Sequence, residues 1–400
     1  MYKKVERFAV LGAGNGGQAL AAYLSLNGYT VNLYNRSPER IEPVKKAGGI
    51  HLSGVFKGFG KLNEVTSDIK KAVKGVEIIM VATPAVAHKY LARELSPFLE
   101  DGQIILLNPG RTGGALEFYN TLQNNGCQAD VIISEAQTFL YASRVIGPAR
   151  AKIYGVKNRV AIAAFPSTRT REVIDCLHPV FPQFSPVENV LKTSLDNIGA
   201  IFHPAPTLLN MARIESGGEF EYYQEGITPS VAKILEAMDK ERMEVATALG
   251  VEPTSAQDWL ILSYGVKGRN LYELLQDNKQ YQGIGAPSRI DHRYVLEDVP
   301  MSLVPIASLG DLLGVDTPTI DIVINLANIV YETNFWETGR TAASLGLNGL
   351  TPDQIQRLVN QGTIEDFRVA FEVNQSLYRK ADSLIFNTYK RDGEVEAWND

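Results

Sequence analysis

One histidine of this 400-residue chain stands where an aliphatic side chain would pack equally well. His203 lies in the stretch IFHPAP, after Ile201 and Phe202 and directly before Pro204, which is expected to break a helix there. A buried histidine with hydrogen-bonded nitrogens would explain this position without any chemistry. However, an imidazole titrates near neutral pH, as a general acid or base must. His203 is therefore our candidate for proton transfer, with a packing role as the alternative.

A glycine-rich loop near the start of the chain is the second stretch with chemical potential. It reads GAGNGG over residues 12–17 and follows the apolar run RFAVLG. In a GxGxxG loop, glycines permit a tight turn, close approach of the backbone to a pyrophosphate, and packing of helix against strand. The position between a strand and a helix predicts a dinucleotide site, with a structural glycine turn as the alternative. The predicted cofactor contacts are Gly12, Gly14, Asn15, Gly16 and Gly17.

The end of the second strand suggests which dinucleotide is preferred. NAD enzymes usually carry an acidic residue there, but this chain has Asn35, followed by Arg36 and Ser37. Amide, guanidinium and hydroxyl groups can bind a ribose phosphate, which a carboxylate would repel. The sequence therefore predicts NADP(H) in preference to NAD(H), although Ser37 could simply cap the next helix. Thr83 and Pro84, at the end of the run VEIIMVAT, complete the predicted cofactor set.

The elements that must hold these residues follow two different patterns. In the first half, five Val- and Ile-rich runs alternate with helical patterns: RFAVLG, YTVNLYN, VEIIMVAT, QIILLNPG and ADVIISE. Such alternation predicts a doubly wound α/β sheet of parallel strands. The runs AKIYGV and RVAIAAF predict further strands, with a helix over 168–178. We therefore predict a Rossmann dinucleotide-binding domain over residues 1–187.

From residue 188 onward the pattern is helical, which predicts an all-helical substrate domain over 188–400. Thr228 and Pro229 mark the cap and first position of its clearest helix, and Thr351 and Pro352 begin another in the same way. The last twenty residues are charged and are predicted to form a helix with a frayed end.

Composition excludes several functional classes. Hydrophobic residues make up 45% and charged residues 21%, as in soluble globular proteins. The formal net charge of -6 argues against binding nucleic acid, which requires a basic surface. No segment approaches the roughly eighteen consecutive apolar residues of a membrane span. The two cysteines have no metal-ligand spacing, so we expect no metal site, no disulfide framework and a cytoplasmic location.

Four longer motifs carry a resemblance to a known family. These are NPGRTGGALEF (108–118), HPAPTLLNMARIESG (203–217), YYQEGITPSV (222–231) and RYVLEDVPMSLVP (293–305). Together they resemble the opine dehydrogenases, which include octopine and nopaline dehydrogenases and a bacterial enzyme acting on carboxyethyl-norvaline. The resemblance runs over nearly the whole chain and is weakest in the final forty residues.

The resemblance implies an acid–base pair. In the family, the histidine of HPxPTLLN pairs with the aspartate of RYxxED; these correspond to His203 and Asp298, which lie 95 residues apart. Without the resemblance, Asp298 would be interpreted as a helix cap. Arg293 matches a substrate-side arginine. Gly199 stands where the norvaline-type enzyme has a substrate-contacting asparagine, so the identity of the substrate is left open.

The implied reaction is reductive condensation of a pyruvate-like 2-oxo acid with an amino acid, through an imine that NAD(P)H reduces. Two substrate carboxylates call for cations, for which Arg293 and Arg144 are candidates, and Glu135 and Tyr222 complete the predicted substrate set. A homodimer is expected. One alternative is a ketopantoate-reductase-like or hydroxyacid dehydrogenase, with Lys192 transferring the proton. Another is a non-catalytic dinucleotide sensor, which would have no need of a His–Asp pair.

Overall fold

The computed structural model describes residues 5–363, which divide into two compact units. The first comprises residues up to Ser194 together with Arg357–Thr363, and the second comprises Leu195–Gln356. The division thus falls a few residues after the sequence-based boundary at 187/188, and one short segment late in the chain belongs to the first unit.

The first unit is built on an eight-stranded sheet with the order β12-β11-β8-β7-β6-β1-β2-β5. The strands of the described chain are β1 (Arg7–Leu11), β2 (Thr30–Tyr34), β3 (Gly49–Gly54), β4 (Gly58–Lys61), β5 (Glu64–Thr66), β6 (Ile78–Val81), β7 (Ile104–Leu107), β8 (Ile132–Ala136), β9 (Tyr141–Gly147), β10 (Arg150–Val156), β11 (Val160–Phe165) and β12 (Phe184–Pro186). The five predicted strands β1, β2, β6, β7 and β8 pair in parallel, while β11 runs antiparallel to β8. The predicted doubly wound α/β fold is confirmed.

The helices of this unit connect and cover the strands. They are α1 (Asn15–Leu26), α2 (Pro38–Ala47), α3 (Ile69–Val73), α4 (His88–Leu95), α5 (Gly114–Asn124), α6 (Thr170–Leu177) and α7 (Val190–Leu195). Strand β1 lies between β2 and β6, so the strand order reverses beside it. Ligands of such sheets bind at the carboxyl ends of the strands at this reversal. The glycine loop between β1 and α1 lies at this edge.

A second, four-stranded sheet has the order β4-β3-β10-β9. The sequence predicted AKIYGV as a strand, which is β10, but did not predict β4 or β9. Helix α1 packs against strands of both sheets. The second sheet therefore completes the burial of the helix whose N-terminus the glycine loop forms.

The second unit is helical, as predicted. Its helices, with the one that ends the described chain, are α8 (Gly199–Phe202), α9 (Pro204–Leu209), α10 (Met211–Glu215), α11 (Pro229–Ala248), α12 (Ala256–Tyr264), α13 (Leu271–Asp277), α14 (Arg293–Leu296), α15 (Val304–Leu313), α16 (Pro318–Val330), α17 (Phe335–Thr338) and α18 (Pro352–Gln361). Thr228 caps α11 by accepting a hydrogen bond from the Val231 backbone nitrogen, as its position predicted. Pro352 begins α18 as expected.

None of the helices described over 5–363 is long and apolar enough to cross a membrane. The predicted helix of the last twenty residues lies outside the described residues.

Candidate active site

His203 lies at the junction of two short helices. Helix α8 ends at Phe202 and α9 begins at Pro204, so the proline opens a new helix immediately after the expected break. The backbone nitrogen of His203 donates to the carbonyl of Gly199, the first residue of α8, at 3.1 Å. The imidazole is thereby placed at a corner of the backbone, and its side chain retains 15% exposure.

The imidazole is bonded to Asp298. Its Nδ1 lies 2.8 Å from Asp298 Oδ2, although the two residues are 95 positions apart. Asp298 is fully buried and precedes a π-helical turn, Val299–Leu303. Its side chain makes no capping hydrogen bond to that turn, so the interpretation as a helix cap is wrong. A buried carboxylate is costly unless it is paired and hydrogen-bonded, and His203 provides one such partner.

Aromatic and hydroxyl groups hold the histidine from other directions. The ring of Tyr294 stacks on His203 with centroids 4.1 Å apart and planes at 11°. The Tyr222 hydroxyl donates to the His203 carbonyl at 2.7 Å, and the Thr207 hydroxyl donates to the same carbonyl at 2.8 Å. These contacts fix both the plane of the imidazole and the backbone from which it projects.

Two residues that the sequence analysis missed extend this network. Ser302 Oγ donates to Asp298 Oδ1 at 3.0 Å, and Asn197 Nδ2 donates to Ser302 Oγ at 2.8 Å. The four-residue spacing of Asp298 and Ser302 could have suggested neighbours on one helical face. Nothing in the sequence pattern links Asn197 to either residue.

The predicted substrate residues fall into two groups. Arg293, at the start of α14, and Arg144, on β9, are both exposed. Arg293 belongs to the helical unit and Arg144 to the first unit.

Glu135 and Tyr222, in contrast, are fully buried. Glu135 accepts hydrogen bonds from the Thr193 and Ser194 hydroxyls at 2.6 and 2.7 Å, and from the Ala115 backbone nitrogen at 2.8 Å. Its carboxylate therefore ties α7 to the start of α5. Burial also raises the pKa of the Tyr222 hydroxyl well above its usual value. The geometry thus gives both residues internal roles in place of the predicted substrate contact.

The glycine loop shows why glycine is needed at two of its positions. Gly12 has φ +109°, a left-handed conformation that side chains disfavour. A Cβ on Gly17 would overlap the Gly12 carbonyl oxygen. Gly14, at the N-cap of α1, is different: apart from its neighbours along the chain, no atom lies within 4 Å of where its Cβ would stand. Glycine at position 14 thus leaves open space at the helix N-terminus, where an anion is favourably placed.

Asn15 attaches the loop to the second sheet. Asn15 Oδ1 accepts a hydrogen bond from the Val145 backbone nitrogen of β9 at 2.8 Å. A Cβ on Gly16 would lie 2.5 Å from the ring of Phe139, so that side chain would have to shift. The Asn15 side chain is therefore engaged within the protein, although it was predicted to contact cofactor.

The selectivity segment, residues 35–37 after β2, has one polar side chain that is hydrogen-bonded within the protein and one that is exposed. Asn35 Oδ1 accepts from the Ala13 backbone nitrogen at 3.1 Å, and its Nδ2 donates to the Ser37 carbonyl at 3.2 Å. Arg36 is exposed, with its guanidinium carbon 5.5 Å from the ring centroid of Tyr90. Ser37 occupies the N-cap of α2 without a capping side-chain bond. Arg36 and Ser37 therefore keep polar groups available.

Thr83 and Pro84 follow β6 beside the glycine loop. The Thr83 methyl lies close to Gly12, and Thr83 Oγ1 is buried without a hydrogen-bond partner among residues 5–363. A buried hydroxyl without a partner is unusual and calls for an explanation such as an absent ligand. Pro84 is exposed. The open space at Gly14 and the hydroxyl of Thr83 together fit a dinucleotide.

No cluster of three potential metal ligands occurs over the described range.

Comparisons with known proteins and family models cover most of the chain. Residues 186–331 match the family model for the alpha-helical domain of NAD/NADP octopine/nopaline dehydrogenase, and residues 7–108 match the N-terminus of NAD-dependent glycerol-3-phosphate dehydrogenase. An opine dehydrogenase of Arthrobacter is 41% identical over 88% of this chain and 99% of its own length.

Solved structures show the same fold at lower identity. Octopine dehydrogenase with NADH and L-arginine superposes with a TM-score of 0.74 at 19% identity, covering 90% of this chain and 99% of its own. Yersinopine dehydrogenase with bound NADP⁺ gives 0.67 at 17% identity, covering 89% and 98%. Because the Arthrobacter relative is aligned over almost its whole length, this chain belongs to the opine dehydrogenase family, whose named members are oxidoreductases that act on CH–NH groups.

Proposed function

We propose that this opine dehydrogenase condenses a 2-oxo acid with the amino group of an amino acid, with His203 as the acid–base and Asp298 as its anionic partner. The bond between His203 Nδ1 and Asp298 Oδ2 is the observation that carries the proposal. A non-catalytic dinucleotide sensor would have no use for this bond. Further support comes from octopine dehydrogenase, which has been solved with NADH and pyruvate or L-arginine.

The residues of the helical unit account for the proton transfers. Since Nδ1 is bonded to Asp298, His203 exchanges protons through Nε2. As a base, it removes a proton from the substrate ammonium, so that the amine can attack the oxo carbon. As an acid, it protonates the departing hydroxyl, which leaves as water when the imine forms. Asp298 stabilises the imidazolium and fixes the ring in one tautomer. When bound, the nicotinamide supplies the hydride that reduces the imine carbon.

The exposed arginines account for recognition of the carboxylates. Guanidinium groups bind carboxylates through two parallel hydrogen bonds, which fixes orientation as well as charge. We assign Arg293 and Arg144 to the two substrate carboxylates. The alternative hydroxyacid dehydrogenase would need only one such cation and no amine.

For the cofactor, we propose NADP(H) in preference to NAD(H). Three features support this proposal. Arg36 is exposed, the Ser37 hydroxyl makes no capping hydrogen bond to α2, and position 35 carries no carboxylate. The dinucleotide belongs to the first predicted domain, 1–187, and the acid–base pair to the second, 188–400.

We also propose a cytoplasmic homodimer. Neither Cys127 nor Cys176 forms a disulfide, which fits a reducing compartment. Ile322 and Ile329 on α16 are 67% and 76% exposed, and a second subunit would bury such side chains. Light scattering of the purified protein tests the dimer.

The proposed function is tested by following NADPH oxidation with a panel of 2-oxo acids, each with and without amino acids. Rapid turnover should require both substrates. His203→Asn should retain folding and NADPH affinity while kcat falls by about two to four orders of magnitude. Asp298→Asn should cause a related loss. Rapid reduction of an oxo acid without amine would favour the hydroxyacid dehydrogenase, and normal turnover by folded His203→Asn would return this residue to a packing role.

A further inference from the structure

The carboxylate of Asp298 has a second partner besides the histidine. Asp298 and Ser302 are both fully buried, so neither oxygen of the carboxylate is stabilised by bulk water. The hydroxyl of Ser302 donates to Oδ1 at 3.0 Å, while Oδ2 lies 2.8 Å from His203. Hydrogen bonds to an ionised carboxylate stabilise its charged form and restrict its rotation. The Ser302 bond therefore bears on both the charge and the direction of Asp298.

Asn197 determines which way the serine hydroxyl points. A serine oxygen can donate one hydrogen and accept others. The Asn197 amide donates to Ser302 Oγ at 2.8 Å, and this occupies an accepting position of that oxygen. The hydroxyl hydrogen is then directed toward Asp298. Asn197 is itself buried, at 2% exposure, so the chain from Asn197 to Ser302 to Asp298 to His203 lies inside the helical unit.

The backbone around Ser302 has an unusual conformation that brings the Ser302 and Asp298 side chains together. Residues Val299–Leu303 form a π-helical turn, which is rare and found frequently at functional sites. Asp298 immediately precedes the turn and Ser302 lies within it, so the two side chains meet on one side of the backbone. Pro300 lies in the same turn and has no backbone N–H group to donate.

We propose that Ser302, with its hydroxyl directed by Asn197, is a positioning residue that holds Asp298 in place for His203. This inference rests on the proposed role of His203. It assigns Ser302 no contact with substrate or cofactor. Its effect should appear in kcat, because the orientation of the imidazole matters most in the transition state, and not in the affinity for NADPH or substrates.

The test is Ser302→Ala, with Ser302→Thr as the conservative variant that keeps the hydroxyl. Loss of one hydrogen bond to a charged group corresponds to about a ten- to a hundredfold effect. We expect Ser302→Ala to lower kcat by about that factor, with KM for both substrates and Kd for NADPH within about twofold of wild type. Ser302→Thr should restore most of kcat. Ser134→Ala is the matched control, because Ser134 is equally buried and its hydroxyl donates to the Ile105 carbonyl. It should leave kcat unchanged.

The His203→Asn background separates this inference from the proposed function. If Ser302 acts through the dyad, Ser302→Ala should add little to the loss already caused by His203→Asn. An equal further loss, or kcat within twofold in the single variant, would overturn the role of Ser302 and leave that of His203 intact. Normal kcat in His203→Asn would instead overturn the proposed function. If Ser302→Ala does not fold, Asn197→Leu takes its place. It should lower kcat by about two- to tenfold, and unchanged kcat would overturn the inference.

Discussion

At the scale of single residues, the proposed chemistry depends on the bond between His203 and Asp298, and Tyr294 and Ser302 contact this pair. The stretch around His203 pointed to chemistry because an imidazole in an apolar run demands a reason. Its pairing with Asp298 came only from family resemblance, since no spacing rule connects residues 95 positions apart. Glu135 and Tyr222 were assigned to substrate because burial cannot be determined from residue type alone. Ser302 and Asn197 were missed because serine and asparagine are common in helical segments without any function.

The stack of Tyr294 on His203 leads to a prediction about turnover. Because the rings are nearly parallel at 4.1 Å, removing the aromatic face should loosen the imidazole. An aromatic pair contributes about 0.5–1.5 kcal/mol, so Tyr294→Leu should lower kcat by about two- to tenfold. Tyr294→Phe retains the ring and should turn over like wild type. Steady-state kinetics of both variants tests this prediction. A similar loss of kcat in the two would mean that turnover depends on the Tyr294 hydroxyl and not on the stacked ring.

Arg36 allows a prediction about cofactor choice. Its exposed guanidinium is the one predicted phosphate ligand in the selectivity segment that carries a full charge. Arg36→Ala should raise KM for NADPH by about ten- to a hundredfold, as expected for loss of a charge-assisted bond, and KM for NADH much less. Arg40→Ala, an exposed arginine on α2, is a suitable control. Equal losses with the two cofactors would rule out a phosphate contact.

At the scale of elements, the parallel sheet was predictable because its strands are buried on both faces. Strands such as β6 and β7 are continuous apolar runs with every residue buried, and they are bounded by loop residues. The second sheet was not predictable in this way. Strand β4 reads GFGK and is mostly exposed, and β9 alternates buried and exposed residues and so forms no continuous apolar run. Such strands are defined by their neighbours and by packing on α1, which local sequence does not record.

The glycine loop contains one glycine that the fold requires, Gly17, and one whose Cβ position is open, Gly14. Gly14→Ala should leave the melting temperature nearly unchanged, because its Cβ would enter open space and φ is −78° there. The same methyl should weaken NADPH binding by obstructing the approach of a phosphate. Gly17→Ala should instead destabilise the fold, since its Cβ would overlap the Gly12 carbonyl. Thermal denaturation and NADPH titration of both variants test this. Full NADPH affinity in Gly14→Ala would show that no ligand occupies that space.

At the scale of the whole molecule, the residues proposed for cofactor binding and those proposed for acid–base chemistry belong to two different compact units. The glycine loop and Arg36 belong to the first unit, and His203 and Asp298 belong to the second. The change from strand to helical patterns predicted a division of the chain near this point. The return of residues 357–363 to the first unit was not predictable, because that segment continues a helical pattern and its composition does not change there.

This distribution predicts how variants combine. Arg36→Ala should weaken NADPH binding by the same factor in wild type and in His203→Asn, because the two sites are formed by different units and substitutions without shared partners are additive within about 0.5 kcal/mol. His203→Asn and Asp298→Asn share a hydrogen bond and should be far from additive in kcat. Fluorescence titration of NADPH measures the first pair without requiring activity, and single-turnover kinetics measures the second. If Arg36→Ala weakened NADPH binding much less in the His203→Asn background, His203 would itself contribute to cofactor binding. Its role could then no longer be described as proton transfer alone.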